Sequence, residues 1–112
     1  MTLMVEGKEV QTDANGYLVD PNEWSETIAE ALAAQEGVAL TEKHWDVINY
    51  LRDEFLNHGG NQPNERTILK AMSDRWGVKL TSKDMYDLFP HMPSKQGAKI
   101  SGLPESRRKG GY

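Results

Sequence analysis

A chain of 112 residues with 38% apolar content and three tryptophans is enough for one domain with its own core. Thirteen basic against seventeen acidic side chains leave a net charge of −4, and the lack of any cysteine excludes disulfides, thiol catalysis and cysteine-based zinc sites. No run approaches the ~18 apolar residues of a membrane span and no basic-then-apolar leader opens the chain, so a cytoplasmic location is expected.

Taken in order, residues 4–18 alternate weakly between turn residues. Met4-Val5, Glu6-Gly7 and Glu9-Val10-Gln11-Thr12 suggest a hairpin. Asp13-Ala14-Asn15-Gly16 is a second turn before Tyr17-Leu18-Val19, making a three-stranded meander. A sheet that small needs a helix over one face. Asp20-Pro21 predicts the start of the first helix, with Trp24, Ile28 and Leu32 on one stripe and Gly37 as its end. Thr41 caps a second helix, with Trp45, Ile48, Leu51 and Phe55 apolar and Arg52 at the polar border, stopped by Asn57-His58-Gly59-Gly60. After a polar loop, Glu65 to Trp76 reads as a third helix with Ile68, Leu69, Met72 and Trp76 inward, closed by Gly77. Thr81 and Asp84 form a capping-box-like start to a short fourth helix, whose Met85, Leu88 and Phe89 face inward before Pro90 ends it. Pro90 and Pro93 bracket a stiff turn, Ser94 is expected to cap a fifth helix, and Gly102-Leu103-Pro104 stops it. The expected fold class is α+β: a short N-terminal β meander packed against an array of about five helices. One domain spans residues 1–104, and 105–112 form a flexible basic C-terminal arm.

Leu88-Phe89-Pro90, Pro93, Lys95-Gln96, Lys99-Ile100 and Gly102-Leu103-Pro104 together resemble the C-terminal signature of the DsrC/TusE family of small sulfur-trafficking proteins. The likeness extends to Glu6-Gly7-Lys8-Glu9-Val10, Asn15-Gly16-Tyr17-Leu18, Glu42-Lys43-His44-Trp45, and Pro63 with Arg66, Leu69 and Lys70. The resemblance implies a helical domain presenting a C-terminal arm whose penultimate cysteine carries sulfur as a persulfide. A second cysteine, about eleven residues earlier, marks DsrC-type members. On this chain the two carrier positions correspond to Gly111 and Ala98, so no catalytic residue is expected. Persulfide relay needs a thiolate. The resemblance therefore implies an accessory or regulatory protein-binding member of a sulfur relay, tied to tRNA 2-thiouridine synthesis or to dissimilatory sulfite reductase. Ala98 leans toward the TusE side.

Charge is distributed unevenly. Lys95, Lys99, Arg107, Arg108 and Lys109 face Glu105 alone in the last eighteen residues, leaving an excess of eight acids in residues 1–94. A basic tail on an acidic body can fold back or be offered to an acidic partner. Arg66 and Lys70 stand at i, i+4 on one helix face, and the resemblance implies a positive patch there. The expected partner-binding set is Arg66, Lys70, Lys95, Lys99, Arg107, Arg108 and Lys109, contacting sulfur-relay or sulfite-reductase-type proteins. His44, His58 and His91 lie on separate elements without metal-ligand spacing, so neither a metal nor a cofactor is expected. The alternative is a nucleic-acid-binding regulator using the third and fourth helices as a helix-turn-helix-like pair with the basic tail. Asp84 and Asp87 against Lys83 weigh against it.

Overall fold

The computed structural model describes residues 2–105. Strands β1 (Thr2–Val5) and β2 (Lys8–Gln11) pair antiparallel, with Leu3 opposite Val10 and Val5 opposite Lys8. Glu6 and Gly7, at φ of 51° and 79°, make the tight turn between them. The expected third strand is reduced to a bridge between Thr12 and Leu18. Gly16 takes the left-handed conformation the second turn requires, but the strand has no length to grow. Two residues beyond Leu18, Asp20 caps a 3-10 turn at Pro21–Glu23, and proline has no N–H to continue a ladder.

The first helix also begins later than its Asp20-Pro21 signal predicts. Helix α1 runs Glu26–Gln35 because the Ser25 side chain accepts the Ile28 N–H as a second cap. Trp24 therefore precedes the helix instead of lying on its stripe. Helix α2 (Glu42–Asn57) buries His44, Val47, Ile48 and Leu51, leaving Trp45 and Phe55 partly covered at its margins. Helix α3 (Glu65–Trp76) turns Ile68 and Met72 inward and closes on Gly77 at φ 66°. Helix α4 (Ser82–Leu88) starts with the expected box, the Asp84 carboxylate accepting from the Thr81 N–H at 2.9 Å.

Helix α5 (Pro93–Ile100) is the hub: it packs against α1, α2, α3 and α4. Its cap is Met92, not Ser94. The fixed φ of Pro93 already belongs to the helix, so the cap falls two residues earlier than expected and Ser94 is buried inside the first turn. Gly97 lets α5 settle on α2, since a Cβ there would lie 2.9 Å from Leu51 Cδ1. At the other end Gly102 (φ 73°) and Leu103 close a Schellman turn, with Gly102 N–H on Lys99 O and Leu103 N–H on Ala98 O. Leu103, 1% exposed, then joins the same core cluster as Phe89, Ile100 and Ile48.

Candidate functional site

The end of α5 leaves main-chain carbonyls that the helix cannot satisfy, and side chains from three other segments take them. Trp24 Nε1–H donates to Ile100 O at 3.0 Å, Arg52 to Ser101 O at 2.8 Å, and Gln62 to Pro104 O at 2.8 Å. The Arg52 guanidinium lies 4.0 Å from the Trp24 ring centroid, so the two grips support each other. Glu105, the one residue of the expected arm within the described range, accepts from Asn15 at 2.7 Å. Pro104 and Glu105 are thus held between the α2–α3 loop and the Asn15 turn. None of these grips was legible in advance: Arg52 read as a polar border, Trp24 as a helix stripe, Gln62 and Asn15 as loop.

A polar network also holds α5 along its length. Gln96, 1% exposed, accepts from the His91 N–H at 3.0 Å and donates to Glu36 at 3.2 Å. Lys99 Nζ sits 3.6 Å from the same Glu36 oxygen and 5.2 Å from the Tyr17 ring centroid. The Tyr17 hydroxyl donates to Lys95 O at 3.3 Å. Burial, helped by Glu105, Asp13 and Glu36, pushes this phenol up to about 12. His44 reaches across from α2: Nε2–H donates to Leu88 O at 2.7 Å, Nδ1 accepts from the Thr41 N–H at 3.1 Å, and the ring meets Phe89 edge-on. Burial holds its pKa below the usual histidine value against the opposing effect of the Leu88 carbonyl.

The expected site residues fall into distinct groups. Ala98, where a second carrier cysteine would stand, is a buried methyl, 3% exposed. Arg66 and Lys70 project from α3 into solvent. Lys95 is half-buried, and Lys99 is committed to Glu36 and Tyr17. Arg107, Arg108, Lys109 and Gly111 lie outside the described residues. His58 joins Asp53 and Glu54 in an exposed cluster with ligand atoms within 4.8 Å, a grouping the spacing of histidines alone did not disclose. These groups are engaged with each other and with Asn57 and Asn61. The helix-turn-helix-like reading finds no support. The α4 surface exposes Asp84 and Asp87, and Lys83 is held by Asp87 at 3.1 Å.

Comparison with known proteins matches residues 4–108 to the family described as DsrC like protein. The chain belongs to the DsrC family. Sulfurtransferase TusE of Pectobacterium atrosepticum is 46% identical over 104 residues, covering 92% of this chain and 94% of the relative. The oxidized gamma-subunit of dissimilatory sulfite reductase (DsrC) from Archaeoglobus fulgidus superposes with a TM-score of 0.88 at 36% identity, covering 96% of this chain and 98% of that one. A chain in the structure of dissimilatory sulfite reductase I matches with a TM-score of 0.77 at 26% identity over 96% of this chain and 98% of its own. This DsrC-family chain is thus an α+β member of the DsrC/TusE sulfur-relay family. Among the described residues no helix is long and apolar enough to cross a membrane.

Proposed function

We propose that this DsrC-family protein is an accessory or regulatory member of a cytoplasmic sulfur relay, acting by docking to its partners instead of carrying sulfur. The observation that carries the reading is an intact grip without a nucleophile. The α5 end is held by Trp24, Arg52 and Gln62, yet the 112 residues contain no thiol and position 98 holds a buried alanine. Sulfane sulfur is accepted and passed on by a thiolate, and no other side chain present substitutes for it. The docking groups are Arg66 and Lys70 on α3, together with the basic residues Lys95, Lys99, Arg107, Arg108 and Lys109. The partners are of the sulfurtransferase or sulfite-reductase kind named for its relatives.

The test is affinity capture from native cells with the full chain, with a chain ending at Pro104, and with Arg66→Glu combined with Lys70→Glu. Recovery of sulfur-relay proteins by the full chain and their loss from both variants is the expected result. Equal recovery by the chain ending at Pro104 removes the basic tail from the mechanism. Sulfane sulfur bound covalently to the purified protein overturns the reading.

A further inference from the structure

The clefts of the described surface differ in how their charges are used. In the α2–α3 groove, Asp46 is paired with Arg75 at 3.2 Å and hydrogen-bonded by Trp76 at 2.7 Å, while Asp53 stands beside His58. In the cleft between the hairpin and α1, the single cation Lys8 shares the lining with Glu6 and Glu23. Another cleft lies between α3 and α4, encloses about 330 Å³, and has Glu65, Arg66, Leu69, Ser82 and Tyr86 in its lining. Glu65 already accepts the Ser94 N–H. Arg66, and Lys70 one turn along the same face, are exposed and make neither an ion pair nor a hydrogen bond among the described residues. Elsewhere Arg75, Lys83 and Lys99 are paired with acids, Arg52 is stacked and hydrogen-bonded, and Lys43 lies over Trp76.

We propose that the α3–α4 cleft docks an acidic segment of a protein partner, with carboxylates on Arg66 and Lys70 and an apolar side chain against Leu69 and the Tyr86 ring. This rests on the reading of α3 as a docking face and narrows it to one cleft and one chemistry. On a body with an excess of acids, two neighbouring cations without an acidic partner among the described residues are available to pair with carboxylates brought by another protein. Tyrosine and arginine are the residue types that interfaces favour, because they combine apolar area with a directed polar end. The cleft brings the two types together from different helices, Arg66 from α3 and the Tyr86 ring from α4.

A benzophenone side chain placed at Ser82 of the full chain, irradiated in native lysate, traps whatever occupies the cleft, and mass spectrometry reads the trapped segment. The expected segment is rich in aspartate and glutamate. Its yield is expected to fall by about tenfold or more when Arg66→Glu and Lys70→Glu are combined, as like charges juxtapose, and to hold with Lys79→Glu. A basic or neutral segment, residues 106–112 of the chain itself, an undiminished yield in the double variant, or no cross-link at Ser82 each overturns the proposal. The same probe at Asn49 separates the two readings. Cross-links from Asn49 with none from Ser82 sink the cleft and leave partner docking standing. No capture from either position, with no co-purification, sinks both.

Discussion

Gly102 has no room for a side chain. A Cβ there would lie 2.3 Å from Trp24 Cδ1, and φ of 73° is a conformation that L side chains rarely adopt. Gly102→Ala is therefore expected to cost about 2–4 kcal/mol, combining backbone strain with displacement of a ring that grips Ile100 O. Urea titration checks it. A cost under about 1 kcal/mol would mean that the ring moves freely. His44 makes a prediction in pH. Its folded pKa is depressed, so the neutral ring stabilises the fold above the ordinary histidine value of about 6.5, and that contribution is lost as pH falls through the folded value. A proton on Nδ1 would also end its acceptance of the Thr41 N–H. The melting temperature should therefore drop on acidification from about pH 7 to about pH 5, with a shallower drop in His44→Gln.

Helix ends, more than helix faces, decide how the elements are placed. Thr81 and Asp84 fix the start of α4 and set where Phe89 enters the core. Thr81→Ala should lower stability by about 1 kcal/mol, the usual cost of a lost N-cap, read as a shift in denaturation midpoint. At the end of α5 the stakes are higher because the carbonyls are partly buried. Arg52→Met keeps much of the aliphatic stem over Trp24 but removes the donor to Ser101 O, and should cost about 1.5–3 kcal/mol, as for a hydrogen bond to a charged group. Amide exchange of Leu103, whose N–H closes onto Ala98 O, should accelerate in that variant. Unchanged protection at Leu103 would show that the Schellman turn holds without the arginine.

As a whole, the molecule is a set of elements wrapped around its last helix, with α5 touching all four others. That arrangement places Pro104 beside the α2–α3 loop, where Gln62 holds it, and sets the α3–α4 cleft between elements that both pack on α5. Reversing the charge of Arg66 and Lys70 should leave stability within about 0.5 kcal/mol, since both are solvated and unpaired. Partner capture should nevertheless fall. A loss of stability in that variant would instead mean that the two cations serve the fold.

The amino-acid order alone determined what near neighbours decide: helices of the right number, their stops at Gly37, Gly77 and Gly102, the Thr81 box and the proline-bracketed entry to α5. These are contacts within one turn, so periodicity and cap chemistry carry them. Where two local signals competed, order alone chose wrongly, as with Asp20 over Ser25 and Ser94 over Met92. Only the tertiary structure decided that Trp24, Arg52 and Gln62 hold α5, across separations of 76, 49 and 42 residues. Their partners are main-chain carbonyls, which every residue carries alike. No pattern of side chains marks which carbonyl a distant donor will reach until the helices have packed and left it unsatisfied.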